Sequence, residues 1–200
     1  MGLQGNDWKE NKDNLLEACH RAGVKVYIPS EFGTNHYTTN YRDNKTFEPK
    51  AHHFEEAKHK VPKVVGIFTS LMVEQAFFKW LGFDNEKEEW RIVGDGDVPV
   101  SLTAREDVGR FTVETAIMAF QEPEKVPEQV AIYSCTHTLQ EYAAVLDKYA
   151  TTGNKIQIIG RPLKQAKEEW EVKKHSIPQG MVYFPSPFRS LILVRSDPCC

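Results

Sequence analysis

Three short stretches of this 200-residue chain gather residue types that could move a proton and hold a polar ligand. The first is Pro29-Ser30-Glu31-Phe32-Gly33, which sets a hydroxyl, a carboxylate and an aromatic ring side by side. It follows directly on the β-branched and aromatic run Val24-Lys25-Val26-Tyr27-Ile28. The second is Lys50, one residue after Pro49, and the third is Thr69-Ser70-Leu71-Met72, at the end of the apolar run from Val64 to Phe68. Pro29 cannot donate to a sheet ladder, so a strand is expected to end there. In open α/β sheets the loops at the carboxyl ends of strands are where ligands sit. Pro49 suits the first turn of a helix. There the positive end of the helix dipole lowers a lysine's pKa towards a value useful in acid–base catalysis. Read by type alone, Lys50 is first of all an ordinary exposed member of the 25 basic residues, and Glu31 is equally a cap for the amides of a turn.

The elements that must position these residues alternate between helix and strand. Asp7 and Glu10 read as a capping pair for a helix running to Gly23, with Trp8, Leu15, Leu16, Cys19 and Ala22 on its core face. Residues 34–46 are polar and read as a long surface loop. A helix is expected from Pro49 to about Lys60, closed by Pro62. Val64 to Thr69 is nearly all apolar, which predicts a strand buried on both faces of a parallel sheet. Leu71 to Trp80 reads as a helix or helical turn, ending near Gly82. Trp90–Val93 and Val98–Leu102 read as short strands about a Gly94-Asp95-Gly96 turn. Thr103 with Glu106, and Thr138 with Glu141, read as capping boxes of two helices. Val108, Phe111, Thr115, Met118 and Ala119 form a stripe on the first helix, and Gly153 ends the second. Val130–Ser134 reads as a strand that Cys135 closes, and Ile156, Ile158 and Ile159 as another. Residues 163–174 read as a charged helix. The alternation predicts an α/β layer architecture.

Residues 23–33, GVKVYIPSEFG, resemble the GV(K/R)x(F/Y)xPSEFG element of the NmrA-like and isoflavone-reductase-like proteins, which are atypical short-chain dehydrogenases. The resemblance continues at Lys50, through VVGIFT at 64–69, VGDGDVPV at 93–100 and TAREDVGR at 103–110. It implies the C-terminal part of a doubly wound, Rossmann-like parallel sheet at residues 1–82, a smaller α/β substrate-side lobe at 83–175 and an irregular tail at 176–200. It also implies an NADPH-dependent reductase that passes hydride to a small aromatic or enone-like substrate. Lys50 would then touch the nicotinamide ribose and serve as general acid or base. Pro29, Ser30, Glu31, Phe32, Lys50 and Thr69 would bind the cofactor, and Ser70, Met72 and Phe77 would line the substrate side. The same family holds non-catalytic NAD(P)-sensing regulators that bind a partner protein, and these commonly lack the lysine. This chain departs from the family in two places. Family members open with a Gly-rich GxxGxxG turn that lets the backbone approach phosphate, and none of the 12 glycines here stands in that pattern. The chain is therefore expected to lack the first half of the dinucleotide-binding fold, to leave cofactor binding and turnover open, and to self-associate through an exposed sheet edge. Many members also carry glycine and then an aromatic where Ser70 and Met72 stand.

Composition narrows the remaining classes. A net charge of -3 gives no case for nucleic acid or an anionic membrane surface. No apolar run approaches the ~20 residues of a membrane helix, and the polar start from Met1 to Asp7 has no signal-peptide core. With 40% hydrophobic and 26% charged residues the expectation is a soluble, cytoplasmic protein. Four cysteines make no disulfide framework, and the terminal Cys199-Cys200 reads as an exposed tail rather than a lipid signal. No metal is expected. His36, His52, His53 and His59 read as surface histidines, because His52 and His59 are too far apart on a helix for shared ligation. Gly94-Asp95-Gly96 lacks the following Lys and helix start of a phosphate cradle and reads as a turn. Glu106 and Asp107 are adjacent and point apart, and Phe77, Phe78, Trp80 and Phe83 cluster as aromatics beside the expected substrate cleft.

Overall fold

A computed structural model describes residues 8–37, 48–151 and 153–173. In chain order the elements are α1 (Trp8–Arg21), β1 (Val26–Tyr27), α2 (Glu48–Lys60), β2 (Lys63–Val64), β3 (Gly66–Phe68), β4 (Leu71–Met72) and the short α3 (Val73–Ala76). They continue with β5 (Phe83–Asp84), β6 (Glu89–Val93), β7 (Val100–Thr103), α4 (Arg105–Gln121), β8 (Gln129–Ala131), β9 (Cys135–His137), α5 (Leu139–Tyr149), β10 (Gln157–Arg161) and α6 (Leu163–Lys173). Two compact units result, interleaved along the chain. Residues 8–37, 48–70 and 105–132 make the first, and residues 71–104, 133–151 and 153–173 the second.

In the first unit every strand pairing is parallel. Val26 and Tyr27 lie opposite Lys63 and Val64, and Gly66 to Phe68 lie opposite Gln129 to Ala131. β2 and β3 form one continuous segment, with the Val65 N–H donating to the Tyr27 carbonyl at 3.1 Å and the Gly66 N–H to the Glu128 carbonyl at 2.8 Å. Alternation along these strands sends side chains to two faces. Tyr27 and Val64 pack with Leu16 of α1 and Phe54 and Ala57 of α2, while Val26, Ile28, Val65 and Ile67 pack with Ala119 of α4 and with Val126 and Ile132. Helices therefore cover both faces of a parallel sheet, a Rossmann-like layering, and the run from Val64 to Thr69 is buried on both sides as its composition requires.

Several boundaries differ from the sequence reading for local reasons. The strand expected over 24–28 narrows to two residues because α1 ends in a Schellman turn. Val24 N–H donates to the Cys19 carbonyl and Gly23 N–H to His20, with Gly23 at φ +67. Leu15 is 49% exposed and Ala22 lies beyond the helix, so Leu16 and Cys19 carry the core face of α1 among its described side chains, and the Trp8 side chain lies outside them. On α4, Val108 and Ala119 are buried whereas Phe111 and Met118 are exposed. That helix starts at Arg105, so Ala104, whose N–H donates to Ser134 Oγ, stands before it, and Thr103 is the buried last residue of β7. Asp7, residues 38–46, Lys174 and the tail from 176, with Cys199 and Cys200, lie outside the described residues.

The second unit holds two three-stranded sheets. β7 is flanked by parallel β4 and antiparallel β9, and β6 by parallel β10 and antiparallel β5. Its core is built on Trp90, fully buried, with Phe77 stacked on it at 5.0 Å, Phe83 edge-on at 5.0 Å and the indole N–H bonded to Asn85. The helix expected from Leu71 to Trp80 is broken up. Leu71 and Met72 are drawn into the sheet opposite Leu102 and Thr103, α3 spans four residues, and a single 3-10 turn covers Lys79–Leu81. The strand expected at Val130–Ser134 also splits, because Ile132 N–H bonds Phe68 while Ser134 N–H bonds Leu102. Cys135 thus opens β9 instead of closing a strand. Thr138 forms the expected capping box with Glu141, but α5 stops at Tyr149, short of Gly153. Gly94 and Gly96 adopt φ of +85 and +84 in a turn that joins strands of different sheets rather than a hairpin. The Gly96 carbonyl accepts the N–H groups of Leu139 and Gln140, so it closes the N-terminus of α5 and leaves no phosphate cradle there.

Candidate functional site

The loop after β1 is folded down onto the first unit by its own hydrogen bonds. Pro29 is buried and its carbonyl accepts the Glu31 N–H at 2.8 Å, a tight reversal that turns the Glu31 side chain inward. The Gly33 carbonyl accepts both the Thr69 and Ser70 N–H groups, at 3.0 and 3.1 Å, which joins this loop to the end of β3. Asn35 Oδ1 caps the Tyr37 N–H at 3.0 Å, and the rings of His36 and Tyr37 pack at 4.4 Å from each other and about the Phe68 ring. Ser70 holds φ +55, a left-handed conformation that glycine adopts without strain.

Lys50 sits in the first turn of α2, and its Nζ donates to the main-chain carbonyl of Glu31 at 2.9 Å. Burial, chiefly, lowers its pKa, while the Glu31 carboxylate works to raise it. Glu31 is 2% exposed, and no hydrogen bond reaches either of its carboxylate oxygens among the described residues. Its pKa is raised by burial, against the pull of Lys50 and then Lys12. His36 Nδ1 lies 3.6 Å from Glu31 Oε2, and burial, followed by the Lys50 charge, brings the imidazole pKa down to about 4. A second polar group lies one helical turn on: Tyr27 Oη and His53 Nε2 share a hydrogen bond at 2.9 Å, with Asp13 3.9 Å from the other ring nitrogen.

The structure thus brings Glu31 and Lys50 together in the first unit, with Thr69 and Ser70 tied to the same loop through Gly33. Thr69 is fully buried and Ser30 half-buried. Phe32 packs against the Val65 and Ile67 side of the sheet and serves the core there. Met72 and Phe77 belong to the second unit, Met72 in β4 and Phe77 in the aromatic core; Phe83 joins that core, while Phe78 and Trp80 are exposed.

His36 and His53 are not surface histidines; both are buried, whereas His52 and His59 are exposed. The signal for His53 was its position three residues after Lys50, on one helical face. Lys12 was missed too, and the signal was its place four residues before Leu16, on the inward face of α1. Among the described residues no group of three or more His, Cys, Asp or Glu could hold a metal ion, and no helix is long and apolar enough to cross a membrane.

No protein-family profile matches the chain, and no curated protein matches it. Solved structures do. An isoflavone reductase matches with a TM-score of 0.70 at 20% identity, over 94% of this chain and 59% of its own. Pinoresinol-lariciresinol and phenylcoumaran benzylic ether reductases match with 0.70 at 16% identity, over 96% and 60%. The fold is that of the isoflavone-reductase-like reductases. A leucoanthocyanidin reductase from Vitis vinifera, in binary complex with NADPH, matches with 0.69 at 18% identity, over 94% and 58%. The chain spans about three fifths of the length of these reductases.

Proposed function

We propose that this chain belongs to the isoflavone-reductase-like family and serves NADPH-dependent reduction of a small aromatic or enone-like substrate, with Lys50 as the proton-transfer residue. The observation that carries this reading is Lys50 itself: a half-buried ammonium in the first turn of a helix, fixed by the Glu31 carbonyl of the PSEFG loop. The likeness in fold to an NADPH-bound reductase supports it.

The residues present fit one end of the cofactor. An ammonium has three N–H donors; one of Lys50's is on the Glu31 carbonyl, which leaves two for the hydroxyls of a nicotinamide ribose. The Glu31 carboxylate, buried without a donor among the described residues, suits an amide N–H or a hydroxyl. The pyrophosphate has no Gly-rich turn in this sequence to receive it. NADPH, when bound, supplies the hydride. Lys50 would hold the ribose and deliver a proton to the substrate oxygen from Nζ. Burial makes that transfer easier, because desolvation weakens the hold of an amine on its proton.

A thermal melt with and without NADPH tests binding. A ligand at 100 times its dissociation constant adds about 2.7 kcal/mol to stability, so an upward shift is expected and no shift overturns the reading. Lys50→Ala should then remove turnover of an enone substrate while leaving the cooperative melt in place. Unimpaired turnover would unseat Lys50.

A further inference from the structure

Among the described residues the Glu31 side chain has no hydrogen-bond donor that explains its burial. An ionised carboxylate taken out of water is costly unless hydrogen bonds or a cation compensate it. Neither Glu31 oxygen accepts a hydrogen bond among the described residues, so the side chain does not cap the amides of its own loop. What faces it is charge. Lys50 stands on its main-chain carbonyl at 2.9 Å, Lys12 approaches from α1, and His36 lies at 3.6 Å in a neutral state.

Lys50 has a milder form of the same problem, since a half-buried ammonium loses part of its hydration. The two groups can both be charged or both be neutral, and either state is better than one buried charge alone. These states differ by one proton moved from Nζ to the carboxylate, with none gained or lost. Resting on the reading of Lys50 as the proton-transfer residue, we propose that Glu31 is its positioning residue and proton partner: the carboxylate keeps the Lys50 ammonium charged and takes up a proton when that charge is gone. When Lys50 gives its proton to a substrate oxygen, Glu31 is left a buried anion with only the Lys12 charge to offset it, and it draws the next proton into the site. Around this pair, Lys12 is itself offset by Asp13 and acts on His53, and Tyr37 feels both Glu31 and Glu55.

The test reads Lys50 directly, without turnover. Competitive acetylation with trace acetic anhydride labels only neutral amines, so the rate at Lys50 against pH reports its protonation, with exposed Lys25 and Lys148 as internal standards. In Glu31→Gln, Lys50 loses its counter-ion and should label faster at neutral pH by about threefold or more, because the neutral fraction of an amine rises about tenfold when its pKa falls by one. Glu31→Asp, which keeps the carboxylate, should stay nearer the wild type. The reciprocal variant Lys50→Met should keep the Glu31 carboxyl protonated to higher pH, read by the infrared carboxyl band or by carbon NMR. In a turnover assay Glu31→Gln should move the alkaline limb to lower pH. Unchanged Lys50 labelling in a folded Glu31→Gln chain overturns the proposal, as does an unchanged Glu31 titration in Lys50→Met; the latter decides if Glu31→Gln does not fold. Absence of NADPH binding would refute the reductase reading and leave this coupling standing.

Discussion

Phe54 anchors the helix that carries Lys50, and replacing it with alanine should loosen the first unit. Its ring is 1% exposed and packs with Leu16, Ala57, Val61 and Val64, with the Tyr37 ring centroid 5.7 Å away. Truncating a buried Phe to Ala costs about 3–5 kcal/mol, the lost transfer energy plus the cavity left behind. Domains are stable by only about 5–15 kcal/mol, so most of the stability of this unit is at stake. Gly66 gives a second handle on the same spot. A Cβ built there would meet the Phe54 ring at 3.0 Å and the Phe68 ring at 3.3 Å. Gly66→Ala should therefore overpack the site by about 1–3 kcal/mol. In the double variant the new methyl enters the space the ring vacated, so the combined loss should fall short of the sum by about 1 kcal/mol or more. Hydrogen exchange of the α2 amides is the proper assay, because it reads that helix directly, whereas three of the four tryptophans, Trp80, Trp90 and Trp170, lie in the second unit. A loss below about 1 kcal/mol for Phe54→Ala, or additivity within about 0.5 kcal/mol, would refute the packing argument.

Other outcomes follow from single contacts. Thr138→Ala removes the capping box of α5 and should cost about 1 kcal/mol, with Thr138→Ser restoring it, as read from urea melts by Trp fluorescence. A Cβ at Gly160 would run into the Gly94 carbonyl, so Gly160→Ala should part β10 from β6 and expose the amides of both strands to exchange. His36 is held neutral down to about 4, so an unfolded chain takes up a proton between about 6.5 and 4 that the folded one refuses. Its contribution to stability is therefore present above that window and lost as the pH falls through it. Glu31, raised by burial, acts in the opposite sense above its unfolded value, so the His36 part is read as the flatter acid slope of His36→Gln relative to wild type. Val113, Ile117 and Phe120 are exposed on α4, and β1 pairs only with β2 among the described residues. Association is expected in sedimentation, with Ile117→Lys weakening it; a single monomeric species of the unsubstituted chain at high concentration would refute this.

The layer architecture was legible because its signals are local and redundant. The apolar run at 64–69 has the composition of a strand buried on both faces, and it is one. Thr138 and Glu141 form their box from spacing alone. The loop at Pro29 was expected to end its strand directly, whereas β1 ends two residues earlier at Tyr27. Spacing was misleading wherever a distant partner settled the outcome. Leu71 and Met72 look helical, but the open edge at Leu102 and Thr103 takes them into a sheet. Leu15 and Leu16 are equally apolar, and only the docking of α1 on α2 and the sheet buries the second.

The same division holds for the candidate site. Sequence alone marked Lys50, through Pro49 before it, and Glu31, through the shaped loop that holds it. Tertiary structure alone decided that the two meet, since 19 positions separate them and the contact runs through a backbone carbonyl. It also turned His36 and His53 inward and set Lys12 near the same carboxylate. The physical reason is burial. A residue's type fixes which proton it can carry, but its readiness to carry it depends on the water removed and the charges left nearby, and both come from chain segments far apart in sequence.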